Sequence, residues 1–550
     1  ALIGIIVWVV RQKQNDSADY FLGGRDATWL AIGASIFASN IGSEHLIGLA
    51  GAGASSGMAM AHWEIQGWMI LILGWVFVPF YTRSMVYTMP EFLERRYNPQ
   101  SRTILSVISL VSYVLTKVAV TVYAGGLVFQ QVFGIKELWG IDFFWIAAIG
   151  LVVLTALYTI FGGMKSVLYT SVLQTPILLL GSLIILVLGF KELGGWDEMM
   201  RVCGAVTVND YDDTMTNLIR SNDDANFPWL GALIGSAIIG FWYWCTDQFI
   251  VQRVLSGKNE MEARRGTIFG AYLKLLPVFL FLIPGMIAFA LHQKYIGAGG
   301  EGFLPMLANG TANADAAFPT LVAKLLPAGV KGLVVCGILA ALMSSLASLF
   351  NSSAMLFTID FYKRFKPETP EKKLVGIGQI ATIVIVVLGI LWIPIMRSVG
   401  DVLYTYLQDV QSVLAPGIAA AFLLGICWKR TSAQGGMWGL ISGMVIGLTR
   451  LGAKVYYSNA GEVADSTFKY LFYDMNWLFF CGWMFLFCII VVIVVSLATE
   501  APTAEKIQGL VFGTATKKQK AATRASWNHW DIIHTVIILA ITAAFYWYFW

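Results

Sequence analysis

The residues with the clearest capacity for chemistry lie together in Gly33 to Gly48, GASIFASNIGSEHLIG. Ser39, Asn40, Gly42, Ser43, Glu44 and His45 interrupt an apolar stretch of membrane length at its middle. In hydrocarbon every backbone N–H and C=O must find a partner, so a break is tolerated only where it lines a cavity. Polar side chains at that depth are costly and generally functional. Unwound backbone there frees carbonyl oxygens for a cation, and the exposed side chains can hold a polar solute. That chemistry is binding and release, with no bond made or broken.

Other chemistries find little support. Cys203, Cys245, Cys336, Cys427, Cys481 and Cys488 are scattered, five of them in apolar segments, with neither metal-ligand spacing nor a disulfide framework. No glycine-rich phosphate loop and no HExxH motif occurs. The opening apolar run, Ala1 to Val10, has no charged leader and reads as the remainder of a trimmed helix, not a signal peptide.

The elements that must position the polar cluster are membrane helices. The chain of 550 residues is 57% hydrophobic and only 13% charged, with a mean hydropathy of +0.69, where soluble domains carry about a quarter charged residues. Twenty tryptophans suit interfacial belts. Apolar runs of about 20 residues predict spans near 28–53, 60–85, 104–133, 143–161, 165–190, 228–252, 266–292, 330–362, 373–396, 400–427, 435–456, 475–497 and 531–550. Basic loops recur on one side: Arg95, Arg96 and Arg102; Arg253, Lys258, Arg264 and Arg265; Lys363 to Lys373; Lys429 and Arg430; and Lys506 to Arg524. The positive-inside rule places this set in the cytoplasm and both termini outside. Interrupted spans at 28–53 and 228–252 open two groups of five that start on opposite sides, the pattern of an inverted repeat with its binding site between the halves.

Ordered segments over nearly the whole chain then resemble the sodium/solute symporters, and within them the sodium/glucose cotransporters. They are Phe21 to Gly51, TMPEFLERRY (Thr88 to Tyr97), ALYTIFGGMKSVLYT (Ala156 to Thr170), WYWCTDQFIVQRVLSGKN (Trp242 to Asn259), YLKLLP (Tyr272 to Pro277), AALMSSLASLFNSS (Ala340 to Ser353) and CWKR (Cys427 to Arg430). The resemblance implies an all-α, leucine-transporter-like 5+5 inverted repeat with one extra N-terminal and three extra C-terminal helices, about 14 spans. The expected organisation is 1–20 remnant and linker, 21–190 first repeat, 191–227 outer loop, 228–428 second repeat, and 429–550 three further spans with a basic loop near 498–530.

The resemblance also implies a Na⁺ site made of the carbonyls of Ala38, Ile41 and Ala341 and the hydroxyls of Ser344 and Ser345. Na⁺ is a hard cation suited to neutral oxygens, and Ala341 shares a helix face with the two serines. The plain alternative for the Ser-Ser pair is small-residue helix packing. Where some members hold a second Na⁺ with an Asp and a hydroxyl pair, this chain has Ser171 and Ala347, leaving only Ser348. One Na⁺ per cycle is expected.

The positions matching sugar contacts are Asn40, His45, Glu64, Tyr243, Trp244, Lys274 and Gln408, with Glu44 and Gln411 nearby. Glu64 and Lys274 are ionisable groups within apolar spans and are expected to pair or share the substrate. Tyr243 matches an inner gate, and Leu49, Trp63 and Tyr404 an outer one. His45 could instead cap the broken helix, Lys274 could snorkel, and Trp63 and Trp244 could simply pack. Asp247 and Arg253 are expected to form a structural pair. Gly240 stands where the family often has a hydroxyl or amide contact, so one contact is expected to be missing. The implied activity is Na⁺-coupled symport of a monosaccharide of glucose or galactose type across a cell membrane, without enzyme chemistry, organic cofactor or nucleic-acid partner. Another polar solute (myo-inositol, a sialic acid or a monocarboxylate) is the rival, and a non-transporting sensor a remote one.

Overall fold

A computed structural model describes residues 16–42, 44–307, 310–396, 403–459 and 464–550; the side chains at 114–116, 119, 392–396, 403–407 and 458–459 fall outside that description. The expected remnant at 1–10, Ser43 and the side chain of Tyr404 therefore lie outside the described residues.

The described residues are built of helices, with one short hairpin among them pairing Glu137–Leu138 with Ile141–Asp142. Among the described residues nine helices are long and apolar enough to cross a membrane. That is fewer than the thirteen full spans read from hydropathy: some neighbouring spans run on, others are broken, and Ala433–Asn459 is one continuous helix outside the nine. Phe143–Leu193 is one helical run of 51 residues, or about 77 Å at ~1.5 Å per residue, against a hydrocarbon core of about 30 Å. Gly163 divides it, with φ 53° and ψ −149°. A Cβ there would lie 2.5 Å from the Tyr20 carbonyl oxygen, so both the backbone conformation and the close approach require glycine.

Several helices turn large apolar side chains outward. Leu486, Phe487, Ile490, Val494 and Leu497 are exposed on Trp477–Ala498, as are Ile532, Ile533, Val536 and Ile537 on His529–Tyr548. Surfaces of that extent are stable only against lipid or protein. The polar side chains turn inward instead.

The first polar segment is broken as expected. Trp29–Asn40 is helical and packs on Glu260–Lys274 and Phe143–Leu193. Its last regular bond runs from the Ile41 N–H to the Phe37 carbonyl, at 2.9 Å. Ile41 is then extended (φ −78°, ψ 102°), and the chain resumes as a wide π-turn at Glu44–Leu49. The second polar segment behaves alike: Trp229–Gly240 passes into a π-turn at Phe241–Thr246, and Asp247 is extended before Gln248–Leu255. Wide turns of this kind concentrate at functional sites.

Candidate functional site

The two broken helices meet. The Asn40 amide donates to the Tyr243 hydroxyl at 3.1 Å and accepts from the Lys274 ammonium at 3.2 Å. Lys274 also reaches Glu64 Oε2 at 2.6 Å, and His45 Nε2 lies 3.2 Å from the same oxygen. Glu64 and Lys274 are therefore an ion pair, buried at 1% and 4% exposure. The Lys274 ammonium stands 5.3 Å from the Trp244 ring centre, a cation–π distance. The lysine does not snorkel.

These groups line one cavity, together with Glu44, Trp63, Gln66, Ile239, Gly240, Gln408 and Gln411. All nine residues expected to touch a solute share it. Its volume is about 30 Å³, room for about two waters. Pockets that hold small molecules are roughly 300–1,000 Å³, so a ring-sized solute requires the walls to part. Three buried polar atoms at the cavity have no hydrogen-bond partner among the described residues: His45 Nδ1, Trp63 Nε1 and Gln408 Oε1.

Aromatic rings stand at the cavity wall. Trp63 stacks on Trp477 with centres 5.5 Å apart and planes at 24°, and meets Phe227 edge-on. Leu49 is wholly buried but does not line the cavity. Tyr243 lines the cavity from the second broken helix. Beneath it the Lys117 ammonium lies 4.6 Å from the Tyr243 ring centre and pairs with Asp247 Oδ2 at 2.6 Å. Tyr113 donates to the other Asp247 oxygen. The expected Asp247–Arg253 pair is thus replaced, because Lys117 on the neighbouring Tyr113–Val118 turn reaches the carboxylate. Arg253 packs on Phe249 and donates from Nε to Ser39 Oγ at 3.1 Å.

The break in the first helix also meets the two serines. The Ser345 hydroxyl spans the carbonyls of Ser39, at 3.0 Å, and Ile41, at 3.3 Å. Ile41 and Ser345 are brought together as expected, and the second carbonyl reached is that of Ser39, one residue beyond Ala38. Ser344 turns to Ser171, their hydroxyls 3.2 Å apart. Ser348 meets the Ser39 hydroxyl at 2.7 Å. Ala341 is buried one turn before the pair. The result is a cluster of neutral oxygens beside the cavity, suited to a hard monovalent cation.

Gln66, Trp477, Phe227 and Lys117 were not expected from sequence. Gln66 is a single amide between two apolar helices, and its only trace was the unfilled place at Gly240.

Apolar helices broken around a buried polar cavity, with a cation-suited oxygen cluster beside it, define a membrane carrier of solutes. The sodium:solute symporter family model matches residues 20–443, and the chain belongs to that family. It is 37% identical to human sodium/myo-inositol cotransporter 2 over 527 residues, 93% of this chain and 77% of that protein. It is 35% identical to sodium/glucose cotransporter 4 of Danio rerio over 522 residues, 92% of this chain and 78% of that protein. A solved structure of a Na⁺-coupled sialic acid symporter, in a substrate-bound outward-open state, superposes with a TM-score of 0.72 at 22% identity, covering 91% and 98% of the two chains. The fold is the leucine-transporter-like arrangement of a polytopic all-α membrane protein. The chain is a Na⁺:solute symporter and not an enzyme.

Proposed function

We propose that the solute is a neutral cyclic polyol, a hexose or an inositol, carried with one Na⁺ by alternating access. The observation that carries this reading is the state of the cavity's polar groups. Its Lys274 and Glu64 charges are spent on each other, while His45 Nδ1, Trp63 Nε1 and Gln408 Oε1, on residues that line the cavity, have no partner among the described residues. Hydroxyls can satisfy all three, since each hydroxyl both donates and accepts. A carboxylate solute needs a cation in reserve; Lys274 is already paired, and Glu44 on the same wall opposes an anion. Monocarboxylate and sialic acid readings are the weaker for that reason.

Within the polyols, the glucose or galactose reading rests on the sequence resemblance. Myo-inositol is favoured by the names of the 37%-identical relatives. Na⁺ would sit at Ile41, Ser39 or Ala38, Ala341, Ser344 and Ser345, with the basic loops facing the cytoplasm. Tyr243 would close the inner path and Trp63 the outer, each opening in turn.

The test is uptake of labelled glucose, galactose and myo-inositol into proteoliposomes under an inward Na⁺ gradient, with K⁺ replacing Na⁺ as control. Na⁺-dependent accumulation of one of them, competed by the unlabelled solute, is the expected result. Accumulation of a sialic acid or lactate alone would refute the polyol reading.

A further inference from the structure

Gln66 enters the cavity from the short connection between Ala61–Glu64 and Gly67–Ile72. It is only 2% exposed. Its amide nitrogen donates to the Ser236 carbonyl at 2.8 Å, and its oxygen accepts from the Trp244 indole N–H at 3.3 Å. A carboxamide has two N–H donors and two acceptor lone pairs. One of each is therefore left on a group held at both ends, at the cavity wall.

The space for that amide comes from Gly240. A Cβ built there would lie 2.5 Å from Gln66 Oε1, 2.9 Å from Cδ and 3.0 Å from Nε2. The backbone of Gly240 is ordinary helix (φ −62°, ψ −40°), so nothing in its conformation demands glycine. The demand is the volume of the Gln66 side chain. Ser236, which anchors the amide, lies one helical turn before Gly240 on the same face. The place left open at 240 is thus occupied by an amide from another segment.

Building on the polyol reading above, we propose that Gln66 is a specificity-determining residue. Its remaining N–H and lone pair, side by side on one planar group, read two hydroxyls on adjacent ring carbons, one as acceptor and one as donor. Gly240 is the residue that admits it. A side chain at 240 would read a single hydroxyl from a different direction, so the pair sets which face of the ring is recognised.

The experiment compares the unmodified protein with Gln66→Ala, Gly240→Ser and the double variant in proteoliposomes. Gln66→Met, of similar volume and without polar atoms, is included in case Gln66→Ala folds poorly. Uptake of the transported polyol is measured against competition by glucose, galactose, myo-inositol and their monodeoxy analogues. Each single change is expected to raise KM about tenfold or more, the net loss of two hydrogen bonds. The two changes together are expected to cost no more than one, because both remove the same contact. In the Gln66 variants, each deoxy analogue lacking one of the two adjacent hydroxyls that Gln66 reads should compete as well as the parent. Unchanged KM and analogue ranking in Gln66→Ala and Gln66→Met, or fully additive losses in the double variant, would overturn the proposal. If the unmodified protein carries none of the polyols, the polyol reading fails, and this inference with it.

Discussion

Glu64 Oε2 receives both the Lys274 ammonium and the His45 ring, all three buried. Removing one partner of a buried ion pair costs about 3–5 kcal/mol, because the other charge stays behind. Lys274→Ala is therefore expected to lower thermal stability in detergent strongly. Lys274→Gln with Glu64→Gln should recover most of that stability without recovering transport. Gln408 Oε1 has no partner among the described residues, so Gln408→Ala should leave stability nearly unchanged and weaken solute affinity about tenfold; equal affinity in an uptake titration would remove Gln408 from the site. At this scale much was legible, since Asn40, His45, Glu64 and Lys274 are conspicuous as polar groups in apolar runs. Gln66 and Trp477 were not. A lone amide and one tryptophan among twenty carry no pattern, and their roles arise only from who stands opposite: Gly240 in one case, Trp63 in the other.

Among the elements, the break at Ile41 matters most. It turns the Ser39 and Ile41 carbonyls toward Ser345. Ser345→Ala is expected to raise the Na⁺ concentration for half-maximal uptake roughly tenfold, while solute affinity at saturating Na⁺ stays close to that of the unmodified protein. The same Na⁺ dependence in both proteins would move the cation elsewhere. Gly163→Ala should impair folding, because it meets both a positive φ and the Tyr20 carbonyl; normal yield and melting would contradict the turn drawn here. Hydropathy found the apolar stretches, because burial and lipid both select apolar side chains, and polar residues marked the breaks within 28–53 and 228–252. It could not resolve where one helix runs on into the next, as in Phe143–Leu193. The wide turns at Glu44–Leu49, Phe241–Thr246 and Tyr113–Val118 depend on packing between helices distant in sequence. Lys117 took Asp247 from Arg253 for that reason.

For the whole molecule, the number of ions sets the work available. One charge crossing ~100 mV supplies about 2.3 kcal/mol, and a tenfold Na⁺ gradient about 1.4 more. Together they sustain a solute ratio of a few hundred-fold. Ser171 and Ala347 leave the cluster near Ser344 without a carboxylate, so reversal potentials in proteoliposomes should give one Na⁺ per solute. Ser171→Asp with Ala347→Thr is expected to raise that ratio; a ratio of two in the unmodified protein would refute the assignment. The overall architecture was legible because lipid imposes length and polarity on every span, and Trp63 and Tyr243 stood out as gates, whereas the rings Trp477 and Phe227 that meet Trp63 did not. The size of the cavity has a consequence for flux. A chamber with room for about two waters, lined by Trp63 and Tyr243, is too small for the solute it must carry. Each delivered molecule must wait for helices to rearrange, on a microsecond-to-millisecond scale or slower. Cells that need more of the solute must therefore make more copies of the protein, since a steeper gradient cannot push a carrier beyond the pace of its own opening.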